Sequence, residues 1–420
     1  MNYNENSMVK LNTTVQRLRK IVAWIVIGMG LFFAFSYFYK RYLWAEFPDG
    51  DFLFNREDAF MDFFNVNQMI SEFDPYVGYG SSYPPVILVV AYIFSLFGPY
   101  KDMKALDVSR MLVPRISYAV MFIACTAVVC WIMYLILKRY INNKKVLFVS
   151  IPLLMCSAPY LFLADRGNYL LICLIFIMLF VYYYDTKPKV AAVMLGIAAA
   201  IKIYPVFLFL VYILKKKWKE LGIAILTGAV LTFIPLLFFR GGFWVNLKEM
   251  IYAIAGFANG SEDTCIPATY YSVGLTSLLY LPFTWFHKGI KPEPNPIMII
   301  YLIIGTGLAL WSLWNLRKEK DEHRILSILT VLMVFLIPNS YMYNLTYLFI
   351  PIIYWIIDEK HVTGKMEWIY GGTLALLMIA KAYYYPVNYT HTSIAVLIDG
   401  LLLLSIIIIY NCRCCKKREN

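Results

Sequence analysis

Runs of about twenty apolar residues recur along this chain, at Ile21–Tyr39, Pro114–Leu137 and Val146–Ala164, with Leu401–Tyr410 a shorter run of the same kind. Each long run matches the length that an α-helix needs to cross a bilayer, where every backbone N–H and C=O must be bonded internally. That pattern leaves few folds open. The chain is 61% hydrophobic and only 15% charged, against roughly 25% charged in an ordinary soluble domain. An all-α, polytopic transmembrane helical bundle of about 10–13 spans is therefore expected. The net charge of +12 sits in short clusters: Arg17/Arg19/Lys20, Lys138/Arg139/Lys144/Lys145, Lys215–Lys217/Lys219, Arg317/Lys318/Lys320/Arg324 and Arg413/Lys416/Lys417/Arg418. Such clusters mark cytoplasmic span ends and imply no nucleic-acid partner.

The organisation read from these runs is a cytoplasmic segment 1–20 leading into a retained anchor, a membrane module 21–239 with an external loop 40–85, and a second external loop 240–296. C-terminal helices 297–410 and a basic tail 411–420 follow. Within the module, charge placement favours a scheme in which 85–99 does not cross fully and 190–214 is a broken pair. Cys125, Cys130, Cys156 and Cys173 fall inside apolar runs, and Cys265 stands alone in its loop, so no disulfide framework is expected.

The loop 40–85 is acid-rich in an otherwise apolar chain. Asp58 and Asp62 stand four residues apart and would share one face of a helix. Apolar residues at Phe60, Met61, Phe63, Phe64, Val66, Met69, Ile70 and Phe73 fit a short amphipathic helix on the membrane surface. Helix capping with solvated acids explains the same pattern. A platform for a general base explains it too, since Tyr83-Pro84-Pro85 fixes the chain where it re-enters the membrane.

Two further groups stand out. Asp165-Arg166-Gly167-Asn168 separates two apolar runs. It reads either as a tight turn or as a place where Arg166 takes a phosphate or sugar oxygen and Asn168 bonds a substrate hydroxyl. Lys202 lies near the middle of the apolar stretch 190–214. A lysine there costs about 2.5–3.5 kcal/mol on insertion, so it is expected to face a cavity and a partner. Tyr204-Pro205 breaks the helix beside it. Arg110, Arg115, Asn259/Glu262/Asp263 and Asn339/Tyr341/Asn344 are secondary candidates, and the four histidines have no metal-ligand spacing.

Taken in order, Asp58 with Met69 and Asp74-Pro75-Tyr76 downstream, Tyr83–Pro85, Asp165–Asn168, Lys202–Pro205 and the basic Trp-containing connector Lys215–Lys219 resemble the GT-C membrane glycosyltransferases. The closest resemblance is to the family-87 branch that includes polyprenyl-phosphate-mannose-dependent mannosyltransferases. It covers roughly residues 20–220, and the chain departs from the family's frequent Gly-Gln before the asparagine with Arg166-Gly167. The resemblance implies an inverting hexosyltransferase of the bacterial plasma membrane. Such an enzyme moves one sugar, mannose first, from a polyprenyl-phosphate donor to a lipid-linked or glycan acceptor on the external side. Asp58 and Asp62 would be the catalytic carboxylates, and Lys202, Tyr204, Arg166, Asn168 and Tyr83 the substrate- and phosphate-binding groups. A monophosphate leaving group needs a metal less than a diphosphate does, so a metal-independent reaction without cofactor is expected, with a divalent cation not excluded. A polymerase or ligase acting on lipid-linked oligosaccharide, and a lipid-sugar flippase, are the alternatives.

Overall fold

A computed structural model describes residues 60–141, 154–259, 272–279, 296–357, 365–379 and 394–416, with single positions at Ile21, Trp24, Ile25, Gly28 and Ile151. Asp58 lies outside the described residues. Within them the chain is helical and contains no strand, only an isolated bridge between Ser272 and Tyr341. In chain order the helices are α1 (Met61–Ser71), α2 (Pro85–Ser95), α3 (Ala105–Val108), α4 (Leu112–Lys138), α5 (Ala158–Arg166), α6 (Leu170–Tyr183) and α7 (Pro188–Ile201). A 3-10 helix (Tyr204–Phe209), α8 (Leu210–Leu214), α9 (Trp218–Leu236) and α10 (Gly242–Asn259) follow. Then come α11 (Pro296–Leu316), α12 (Glu322–Leu336), a second 3-10 helix (Met342–Leu348), α13 (Phe349–Ile357), α14 (Lys365–Leu377) and α15 (Ile394–Lys416).

Among the described residues three helices are long and apolar enough to cross a membrane: Leu112–Lys138, Trp218–Leu236 and Ile299–Leu316. Other apolar runs form shorter helices. At 1.5 Å per residue α2 is about 16 Å long, roughly half the hydrocarbon thickness. Its eleven residues are too few to cross the hydrocarbon as one straight helix. The stretch 190–214 is broken, because α7 ends at Ile201 and Lys202 is extended at φ −138°, ψ 134°. Pro205 has no N–H to continue a helix, and its fixed φ suits the opening turn of the 3-10 helix that follows.

The described chain divides into two compact units. The first, termed the site unit, comprises Asp49–Met133 and Phe162–Pro267. Here α7 packs between α6 and α9, and α2 packs on α1, α7 and α9. Small residues permit the tightest of these approaches. A Cβ on Gly196 would sit 2.6 Å from the Ala224 carbonyl oxygen, so α7 and α9 touch backbone to backbone there. The α1 helix, expected on the membrane surface, has protein on its apolar side: Phe63, Phe64, Val66 and Ile70 are fully buried.

The second unit, termed the C-terminal unit, comprises Met1–Pro48, Tyr134–Leu161 and Ala268–Asn420. Its centre is α12, packed against α13, α15 and the second 3-10 helix. Buried amides join α11 to α15. Asn315 donates to Asn411 Oδ1 at 2.6 Å, and Asn411 donates to Ser312 Oγ at 2.9 Å. Such interhelical bonds replace the hydrophobic drive that lipid does not supply.

Candidate active site

The site unit brings together residues far apart in sequence, and the start of α1 is where they meet. Phe60 caps the helix in the left-handed region (φ 63°) and donates its N–H to the Asp165 carbonyl at 2.7 Å. That bond sets the first turn of α1 on the Asp165–Asn168 turn. Gly167 makes the approach possible. Its φ is +63°, and a Cβ there would lie 3.0 Å from Phe60 O and 3.2 Å from Phe63 Cβ. Gly167→Ala is therefore expected to cost about 1–3 kcal/mol, from left-handed strain and crowding together. A thermal melt in detergent reads this as a clear fall in midpoint; an unchanged melt would show that the turn tolerates a side chain.

Once docked, Asp62 has both oxygens engaged. Arg166 Nη2 lies 2.9 Å from Oδ1, and Asn168 Nδ2 donates to Oδ2 at 2.7 Å. The Asn168 amide is oriented from its other end, because its Oδ1 accepts from the Leu170 N–H at 2.9 Å as α6 begins. The Asp62–Arg166 pair is mostly buried, with side chains 17% and 19% exposed. Arg166 thus turns to the carboxylate, where the sequence suggested a phosphate or sugar oxygen. The exposed pair Arg240–Glu72, at 3.6 Å and 67% and 43% exposed, is the opposite case and contributes little.

Behind Asp62 an aromatic group excludes water. Phe63 stacks on Tyr169 at 5.6 Å and meets Tyr118 at 5.3 Å, while Phe60 meets Tyr118 at 4.4 Å.

Lys202 supplies the second cation. Its ammonium sits 4.4 Å from the centre of the Tyr83 ring, a cation–π distance, and interacts electrostatically with Asp62. Among the described residues no carboxylate lies within ion-pair distance of it. Tyr83 is held by its backbone, whose carbonyl accepts from the buried Tyr76 hydroxyl at 2.9 Å and whose N–H donates to Ser81 Oγ at 3.2 Å. Pro84 (φ −60°, ψ 150°) and Pro85 then start α2. Among the described residues Lys202, unlike Arg166, has no carboxylate at pairing distance, which suits an anionic ligand. Among the described residues no three His, Cys, Asp or Glu side chains gather as a metal ligand set.

The fold therefore unites Asp62, Arg166 and Asn168 through direct bonds, with Lys202 and Tyr83 beside them. Tyr204, half-buried on the turn after Lys202, is not brought into hydrogen-bond or ring contact with this group. Arg110 and Arg115 serve local turns instead, the first 4.0 Å from Asp107 and the second donating to Ser109 O at 2.6 Å. The sequence reading missed a buried relay at the back of α1. Tyr169 donates to Asn67 Oδ1 at 2.6 Å, and Asn67 Nδ2 faces Tyr100 Oη at 3.3 Å. Burial pushes the Tyr100 hydroxyl up to about 12, with the Asn67 amide opposing, so the relay stays neutral. The available signal was an asparagine inside the apolar stripe of α1. Gln68 adds a two-ended bracket to the loop before α3, donating to Met103 O and accepting from Ala105 N.

A family model for glycosyltransferase family 87 matches residues 82–338, more than half of the chain. The chain belongs to glycosyltransferase family 87. No curated protein gives a significant match to the sequence. The match takes in Tyr83, Arg166, Asn168 and Lys202, and it begins after Asp62. This protein is thus a family-87 membrane glycosyltransferase, acting on a sugar donor and an acceptor.

Proposed function

We propose that this family-87 enzyme is an inverting hexosyltransferase that moves one sugar, mannose first, from a polyprenyl-phosphate donor to a lipid-linked or glycan acceptor. The reaction is placed at the outer face of a bacterial plasma membrane. The observation that supports the donor class is the ammonium of Lys202, beside Asp62 and on the face of Tyr83, with no carboxylate at pairing distance among the described residues. A phosphate monoester would pair with that ammonium, and its departure is eased by the same cation as negative charge grows on the leaving oxygen.

The acceptor hydroxyl needs a base. Asp62 is poorly suited, since both its oxygens already accept hydrogen bonds and its charge is compensated by Arg166. Asp62 is read as the positioning carboxylate and Asp58 as the general base. Arg166 and Asn168 keep Asp62 in place, Tyr83 lies against the lysine, and Tyr204 is kept as a substrate-binding group. No step in this scheme calls on a metal, because a monophosphate can leave against a lysine.

The test is direct transfer. Purified full-length protein is given radiolabelled polyprenyl-phosphate-mannose, polyprenyl-phosphate-glucose or a diphosphate-linked oligosaccharide, together with a lipid extract as acceptor source. Label moving to product from a monophosphate donor supports the reading. Use of the diphosphate donor alone would replace it with a polymerase or ligase.

A further inference from the structure

Asn339, Tyr341 and Asn344 stand out in the sequence, and nothing in the donor site uses them. In the C-terminal unit they lie on one of two segments that meet backbone to backbone. Ser272 bridges to Tyr341, and the Val273 N–H donates to Ser340 O at 2.6 Å. A Cβ on Gly274 would lie 2.8 Å from Ile337 O, so the contact is close along its length. Ser277 Oγ folds back to Ser272 O at 2.6 Å, and the Asn344 N–H returns to Tyr341 O at 2.8 Å.

At this junction polar side chains are buried without partners. Ser272 Oγ, Thr276 Oγ1, Ser340 Oγ and both amide atoms of Asn344 have no hydrogen bond. Their residues are at most 1% exposed. Buried polar atoms in folded proteins are almost always bonded, so five such atoms on two touching segments mark bonds that something else completes. None of the four side chains is charged, and hydroxyls and amides offer donors and acceptors together. That is the mixture a sugar hydroxyl requires. Tyr341 and Tyr343, their rings stacked at 5.5 Å and 26°, add an aromatic surface on the same segment for the C–H face of a pyranose.

We propose that the junction of 272–277 with 339–344 is a binding site for a neutral sugar, opened by parting the Ser272–Tyr341 bridge. The bonds lost between the segments are exchanged for bonds to the ligand. A parted state selected by the ligand accounts for the absence of exposed surface in the closed form. The proposal goes beyond the donor reading and does not rest on it.

Isothermal titration of the full-length protein with methyl α-mannopyranoside and methyl α-glucopyranoside tests it, since no lipid donor is involved. Saturable binding is expected, at least as tight as that of the hexose 1-phosphates. Asn344→Leu, near in volume but without the amide, should weaken binding at least tenfold while the melting temperature holds or rises. A buried amide without partners is a cost when no ligand is bound. Thr276→Val should weaken binding in the same direction. Wild-type protein that binds neither glycoside, or an Asn344→Leu variant that binds like wild type, would overturn the site. So would a tenfold preference for the sugar phosphates.

Discussion

Replacing Lys202 by methionine is expected to lower kcat/KM for the lipid-linked donor about 10²–10³-fold, the range seen when one electrostatic partner of a developing anion is removed. The same change should leave the protein at least as stable as wild type. These opposite signs follow from where the ammonium sits. The backbone at Lys202 marks the break between α7 and the 3-10 helix, with Ile201 and Pro205 buried to either side. The ring of Tyr83 returns about 2 kcal/mol to a desolvated cation, still less than the about 2.5–3.5 kcal/mol of placing a lysine in such surroundings. Methionine fills similar space without a charge. Lysine is therefore retained against stability, as a residue kept for a ligand would be. Lys202→Arg should give a smaller loss, because the charge stays but the flat guanidinium matches a different geometry. Donor kinetics and a detergent melt of the two variants decide the matter. Turnover of Lys202→Met within threefold of wild type would remove the lysine from donor binding.

The parts of this fold that were legible in the sequence are those set by local chemistry. The long helices α4, α9 and α11 follow from apolar runs that have no other stable form in lipid. The break at Lys202 follows from Pro205, and α1 from the apolar spacing read over residues 58–73. The start of α1 was not legible: Phe60 turns left-handed (φ 63°) and the helix begins at Met61, three residues after Asp58, so Asp58 and Asp62 do not share a face of it. What covers α1 was not legible. An apolar stripe records only that its surroundings are apolar, and lipid and protein interior meet that condition equally. Phe63 is in fact covered by aromatic side chains of α1, α2, α4 and the turn before α6.

The site shows the same division. Lys202 was visible as a charge inside an apolar run, and Asp62, Arg166, Asn168 and Tyr83 as polar residues of the connectors between such runs. That Asp62 bonds Arg166 across 104 positions was not. Such a pairing is settled by the packing of α1 on the Asp165–Asn168 turn, through Phe60 and Gly167, and no local pattern announces it. Asn67 was passed over because its neighbours are apolar, although an amide in such a stripe needs partners once it is buried.

Asp58→Asn should reduce sugar transfer about 10²–10⁴-fold, the range for loss of a general base, without affecting expression or melting temperature. The choice of Asp58 over Asp62 is an argument about free lone pairs. A base must present one oxygen to the acceptor hydroxyl, and each Asp62 oxygen already has one of its two acceptor sites held by Arg166 or Asn168. Asp58 stands two residues before Phe60 in the sequence. Two trans peptide units limit its Cα to about 7.6 Å from that of Phe60, and Phe60 is bonded to the Asp165 carbonyl beside the Arg166–Asp62 pair. Asn keeps the shape and one acceptor oxygen but cannot take the proton, so kcat should fall while the KM for donor stays near wild type. Asp62→Asn would act differently. It removes the charge that holds Arg166, and the damage should appear in stability as well as in rate. A kcat for Asp58→Asn close to wild type, with Asp62→Asn inactive yet equally stable, would reverse the two assignments and make Asp62 the base.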